Sequence, residues 1–176
     1  MDLRIAGILK ESVVDGPGLR MVIFAQGCFH HCAGCHNVKT HDPMAGKIIS
    51  TDEAMNMIHQ ARLIRGVTFS GGEPFLQAAP LAYLGKKIKA SGLNLFTYSG
   101  YVFEQLLAMS ADNPAIKDLL YTTDVLVDGP FVLEKRDLRL AFRGSTNQRL
   151  IDVALSLRSG RAVLWSDEAV CNSNPA

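Results

Sequence analysis

The stretch Arg20-Met21-Val22-Ile23-Phe24-Ala25-Gln26-Gly27-Cys28-Phe29-His30-His31-Cys32-Ala33-Gly34-Cys35 decides how the chain is read. Arg20 to Ala25 is apolar and partly β-branched, the pattern of a strand buried on both faces. It feeds a loop with three thiols in eight residues, Cys28-x-x-x-Cys32-x-x-Cys35. Soft thiolates at this density suit iron–sulfur chemistry and can hold three irons of a cubane. The remaining cysteine, Cys171, lies far off in a polar tail, which leaves a fourth iron open to a non-protein ligand. An open metal position is what catalysis needs. Structural zinc is the rival reading, because His30, His31, His36 and His41 stand nearby; paired Cys-x-x-Cys spacing is the more usual zinc arrangement.

Strand and helix patterns alternate outward from this loop. Leu3 to Leu9 is a short apolar run closed by the breaker Asp15-Gly16-Pro17-Gly18. Ser50-Thr51-Asp52-Glu53 is a capping box, and the helix it opens is expected to run until Gly66. Val67 to Phe69 reads as a strand entering Ser70-Gly71-Gly72-Glu73-Pro74. Pro80 opens a helix with the stripe Leu81, Leu84 and Ile88, closed by Gly92. Leu93 to Thr97 is a strand, Tyr101 to Met109 a helix, and Val125 to Val127 a strand ending at Asp128. Leu150 to Leu157 and Arg161 to Trp165 are expected to pair as a hairpin across Ser159-Gly160.

This order predicts an α/β fold with a mostly parallel sheet and right-handed crossovers, as one domain over 1–176 with a frayed tail from about residue 166. In such folds chemistry gathers at the carboxyl ends of strands. The cysteine loop, the Gly71-Gly72-Glu73-Pro74 turn, Thr97 to Gly100 and Asp128 all fall at that edge. With 48% hydrophobic residues, 20% charged residues and a net charge of +1, the chain lacks the basic stripe of a nucleic-acid binder. No stretch reaches the ~20 apolar residues of a membrane span. Met1-Asp2-Leu3-Arg4 has no signal-peptide core, so a cytoplasmic location is expected, where disulfides are disfavoured. No Ser/His/Asp or paired-carboxylate spacing is recognisable, which makes hydrolysis a poor rival.

The cysteine spacing, followed by His36, resembles the signature of the radical S-adenosylmethionine (SAM) superfamily. That resemblance implies an open β/α barrel holding one [4Fe–4S] cluster on Cys28, Cys32 and Cys35, with SAM on the open iron. It makes Gly71, Gly72 and Glu73 the turn that meets the methionine end of SAM. It also sets Gly34, Cys35 and His36 against SAM or the cluster. Glycines at such a turn let backbone groups approach a ligand closely.

Within the superfamily, Val14-Asp15-Gly16-Pro17-Gly18-Leu19-Arg20 and Gln26-Gly27-Cys28 resemble the glycyl-radical-enzyme activases. Asp124 to Phe131 and Phe142 to Arg149 are similar to the branch that activates anaerobic ribonucleotide reductase. Cys35-His36-Asn37 is closer to the pyruvate formate-lyase branch. The implied partners are a large anaerobic ribonucleoside-triphosphate reductase and a one-electron donor such as a flavodoxin. By the same resemblance Asp128 reaches SAM's amino group or a nearby cation, with a helix-cap or turn role as the plain alternative. Arg143, Asn147 and Gln148 are expected to grip SAM or the partner's loop, or simply to hold a turn. No catalytic residue beyond the cluster ligands is expected. An electron carrier or a zinc-binding module is the non-enzyme alternative.

Overall fold

The computed structural model describes residues 1–166. Its frame is a seven-stranded sheet. β1 (Asp2–Ser12), β2 (Arg20–Ala25), β3 (Lys47–Ser50), β4 (Gly66–Gly71), β5 (Asn94–Tyr98), β6 (Val125–Asp128) and β7 (Arg149–Asp152) lie in the order β3-β1-β2-β4-β5-β6-β7. The four central strands β2, β4, β5 and β6 are parallel, and β1, β3 and β7 are antiparallel to their neighbours. The expected α/β architecture is therefore observed, as a mixed sheet with a parallel centre. Among the described residues no helix is long and apolar enough to cross a membrane.

Strand alternation divides this sheet into two different faces. Met21, Ile23, Val67, Phe69, Leu95 and Leu126 point to one face, where they join Ala54 and Ile58 of α1 (Thr51–Gln60) and Leu81, Leu84 and Ile88 of α2 (Ala78–Ala90). The same core takes Phe103 and Leu106 of α3 (Phe103–Asp112), Leu119 and Leu120 of α4 (Pro114–Thr122), and Val153 of α5 (Val153–Ser159). Each of the larger side chains withdrawn from water contributes about 1.5–3 kcal/mol. Residues one position along, Arg20, Phe24, Thr68, Ser70, Phe96 and Tyr98, face the other side, where loops rather than helices cover the sheet.

Several local readings need correction. α1 ends at Gln60, six residues before Gly66, which instead starts β4. A Cβ on Gly66 would stand 2.3 Å from Asn94 Oδ1 and 2.5 Å from Arg20 Nη1, so this glycine makes room for a buried guanidinium. That guanidinium belongs to Arg20, the first residue of β2. It is fully buried, donates to Thr68 Oγ1 (2.8 Å), Asn94 Oδ1 (2.5 Å) and the Val67 carbonyl (2.7 Å), and lies 4.7 Å from the Phe96 ring centre. Burial pushes its pKa down to about 10.

Half of the capping box forms: Ser50 Oγ accepts from the Glu53 amide at 2.9 Å, while the Ser50 backbone is paired in β3 opposite Asp2. Helix α4 was not expected, although Asn113 caps it, Pro114 opens it and Ile116, Leu119 and Leu120 form its buried stripe. The hairpin expected from Leu150 is interrupted by α5, which Asp152 caps and Gly160 closes in the left-handed conformation (φ 68°). The returning chain still bonds to β7, with Asp152 N on the Val163 carbonyl (2.9 Å) and Trp165 N on the Leu150 carbonyl (2.8 Å). Cys171 and most of the tail lie outside the described residues.

Candidate functional site

Four parallel strands end at one rim, and the loops that leave them surround a cavity of about 550 Å³ on the helix-free face. Cys28, Cys32 and Cys35 line it from the loop after β2, Gly71 and Gly72 from the turn after β4, and Ser99 and Gly100 from the turn after β5. Phe131, Phe142, Arg143 and Gly144 close the far wall, and Phe24 and Tyr98 line it from the sheet. A volume of this size lies in the range of sites for cofactor-sized ligands.

The three thiols are free, Cys28 buried and Cys32 and Cys35 partly exposed. Their loop is held by its backbone: Gly27 N donates to the Thr40 carbonyl (2.8 Å), Cys28 N to the His41 carbonyl (3.0 Å) and Cys35 N to the Cys32 carbonyl (3.1 Å). The Asn37 amide donates to Cys35 Sγ at 3.4 Å. Burial pushes the Cys28 thiol above its ordinary pKa, so a metal entering here must displace a proton. Among the described residues no three His, Cys, Asp or Glu side chains are grouped to share a single metal ion. Three thiols lining one cavity have the soft-donor chemistry that suits an iron–sulfur cluster.

The glycine turn is fitted to the cysteine loop itself. Gly71 has φ 93°, a conformation that favours glycine, and Gly72 N and Glu73 N donate to the Ala25 and Gly27 carbonyls, both at 2.8 Å. A Cβ on Gly72 would come within 2.3 Å of the Gly27 oxygen. Gly71 and Gly72 thus line the same cavity as the three cysteines, with the turn fastened to the chain on either side of β2's end.

Two of the expected cofactor contacts are placed elsewhere. The Glu73 carboxylate is 1% exposed and already accepts from Phe75 N (3.0 Å), Gly100 N (2.8 Å), Ser99 Oγ (3.1 Å to each oxygen) and, as geometry allows, His30 Nε2 (3.0 Å). These contacts hold the carboxylate within the protein and away from the cavity lining, which Gly71 and Gly72 enter instead. Asp128 is fully buried and shares the helix-side parity of Leu126. It accepts from Phe103 N at the start of α3 (2.7 Å) and from Arg149, so it caps a helix and pairs with a cation away from the cavity.

His36 lines the cavity with its ring centre 5.0 Å from that of Phe131. Gly34, in the left-handed conformation (φ 72°), faces Leu133, whose Cδ1 would lie 2.9 Å from an added Cβ. Arg143 lines the cavity, with Nη1 on the Gln148 carbonyl (3.0 Å) and a buried Nε that meets no partner among the described residues. Gln148 holds the loop by accepting from Gly144 N (2.9 Å) and donating to the Gly129 carbonyl (3.1 Å), and Asn147 donates to the Pro130 carbonyl (2.8 Å). Thr97 is buried on the helix side against Thr123 (2.9 Å). Tyr98 was not singled out for the site by sequence, and His30 was named there only as one of the histidines flanking the cysteines. The Tyr98 hydroxyl donates to the Phe142 carbonyl at 2.6 Å, tying the far wall to the sheet.

The family model described as "4Fe-4S single cluster domain" matches residues 14–151. The anaerobic ribonucleoside-triphosphate reductase-activating protein of Escherichia coli (strain K12) is 35% identical over 144 residues, covering 77% of this chain and 90% of that protein. The protein of the same name from Enterobacteria phage T4 is 30% identical over 143 residues, covering 78% and 86%. Among solved structures, the crystal structure of QueE from Escherichia coli is a partial likeness, with a TM-score of 0.45 and 18% identity over 57% of this chain and 53% of that one.

Proposed function

This chain belongs to the family of anaerobic ribonucleoside-triphosphate reductase-activating proteins, and from that premise we propose that it installs a glycyl radical on the large anaerobic reductase. When bound, a [4Fe–4S] cluster and SAM together supply a 5′-deoxyadenosyl radical, able to take the α-hydrogen of one glycine. The observation that carries this reading is the gathering of three free thiols and the Gly71-Gly72 turn around one cavity at the ends of four parallel strands.

In this reading Cys28, Cys32 and Cys35 hold the cluster as thiolates. The Gly71-Gly72 turn, which lines the cavity, orients the methionine end of SAM. Gly34 shapes the cysteine loop, and His36 with Phe131 forms a wall beside Cys35. Phe24, Tyr98 and Phe142 keep water from the reacting centre, as a reactive intermediate requires. The helix-free face corresponds to the inside of a partial, open β/α barrel, and 1–176 is read as one domain. A flavodoxin-like donor provides the electron. The reducing cytoplasm, where three unpaired thiols persist, is the fitting location.

The test is anaerobic reconstitution with iron and sulfide, then reduction, SAM and the large reductase, with electron paramagnetic resonance as readout. A glycyl-radical signal on the reductase is expected; a cluster whose spectrum ignores SAM would overturn the reading. His36 after Cys35 favours a second partner class, so a pyruvate formate-lyase-type enzyme belongs in a parallel incubation.

A further inference from the structure

His30 sits between two of the three cysteines, and the structure builds a seat for it. Its Nε2 lies 3.0 Å from Glu73 Oε2, and its ring meets Tyr101 edge-on, with centres 4.5 Å apart at 70°. Its third neighbour is the backbone of Gly100, where an added Cβ would come within 2.4 Å of His30 Cδ2. The His30 side chain is 19% exposed and its acceptor 1%. The same carboxylate binds the Phe75 amide beyond the glycine turn and both Ser99 Oγ and the Gly100 amide beyond β5. One side chain thus joins the loops of β2, β4 and β5, and His30 is the only residue between Cys28 and Cys32 that it reaches.

We propose that Glu73 and His30 form a positioning clasp: Glu73 does not meet the cofactor but pins the Cys28–Cys32 loop to the β4 and β5 turns, so that the thiols are arranged before metal arrives. A buried carboxylate that accepts from three backbone or hydroxyl donors has a fixed orientation, and an imidazole bonded to it is fixed in turn. A ligand loop held in this way loses less conformational freedom when the cluster forms. Partners that orient metal ligands from behind are typically worth about 10–100-fold in metal affinity. Gly100 lacks a Cβ because His30 occupies that space, which accounts for a glycine at a position with no left-handed backbone.

This inference rests on the cluster reading above, and its test separates the two. The full chain is prepared as wild type, His30→Ala, His30→Gln and Glu73→Gln, and three quantities are read. They are amide hydrogen exchange of residues 27–36 without metal, iron and sulfide bound after anaerobic reconstitution, and the SAM affinity of the loaded fraction from the spectrum of the reduced cluster. His30→Ala and Glu73→Gln should speed exchange and lower cluster affinity by about 10-fold or more, with SAM affinity of the loaded fraction little changed. His30→Gln, which keeps a donor for Glu73, should restore both. Wild-type exchange and loading in His30→Ala overturns the clasp. So does a Glu73→Gln chain that loads normally but loses SAM, since that marks Glu73 as a cofactor ligand. A wild-type cluster indifferent to SAM sinks the functional reading instead, while the exchange comparison still decides the clasp.

Discussion

The Arg149 guanidinium lies along the fully buried carboxylate of Asp128, with Nε 3.0 Å from Oδ1 and Nη2 2.5 Å from Oδ2. The pair is set by the antiparallel register of β6 and β7, which puts Asp128 opposite Arg149. Removing one partner leaves a buried charge uncompensated, which typically costs about 3–5 kcal/mol. Arg149→Ala should therefore lower stability by that amount in urea unfolding. Arg149→Lys, which loses the two-pronged contact, should fall between the variant and wild type.

The same guanidinium reaches Glu104 on α3, with Nη2 2.7 Å from Oε2, and this bond holds the Glu104 carboxyl below its ordinary pKa. Because the folded value is the lower one, the contribution is fully present above the unfolded pKa and fades as pH falls through the folded value. Loss is thus confined to pH below about 4.3, the ordinary value for glutamate. Glu104 is more than half exposed, so the effect should stay below about 1 kcal/mol. Glu104→Gln should flatten this part of the acid limb in unfolding measured from pH 5 to 3.

Tyr98→Phe should loosen the far wall of the cavity without touching the thiols. The hydroxyl is raised above its ordinary pKa by burial and remains a donor to the Phe142 carbonyl, so its loss leaves that carbonyl unpaired. A cost of about 1 kcal/mol is expected. Faster amide exchange across residues 137–144 should accompany it, and unchanged protection there would count against the link.

Gly72→Val, if it only took up room for the cofactor, would spare the cluster. The structure predicts otherwise, because the new side chain meets the Gly27 carbonyl immediately before Cys28. Iron bound after reconstitution should fall together with SAM affinity. A variant with full iron and weakened SAM binding would restore the simpler reading.

Cys32→Ala should leave a folded chain that holds no catalytic cluster. Cys32 is partly exposed and outside the apolar core, so the unfolding midpoint of the metal-free chain should be nearly unchanged. Radical formation at the wild-type rate would remove Cys32 from the ligand set.

Much of this was legible in the chain. Arg20 to Ala25 reads as a buried strand and is one, because an apolar run between breakers has few other resting places. The convergence of the cysteine loop, the glycine turn and the end of β5 followed from strand order alone. What could not be read was parity and satisfaction. Asp128 ends a strand at the right rim but points to the helix side, which depends on register with β5 and β7. Glu73 has the chemistry to bind an ammonium, yet donors from its own turn and from the loops after β2 and β5 engage it. Gly66 looks like a helix terminator until its partner across the sheet, the Arg20 side chain, is in place. Helix α4 carries its own signals in Asn113, Pro114 and the spacing of Ile116, Leu119 and Leu120, and is legible on those grounds.

The cavity draws its walls from Val14 at one extreme and Gln148 at the other. During synthesis the three thiols therefore emerge long before the opposite wall exists. A nascent chain halted ahead of β6 would display reactive sulfur with no chamber around it. Iron delivery is then best timed after release from the ribosome, as the closing act of maturation rather than a nucleus for folding.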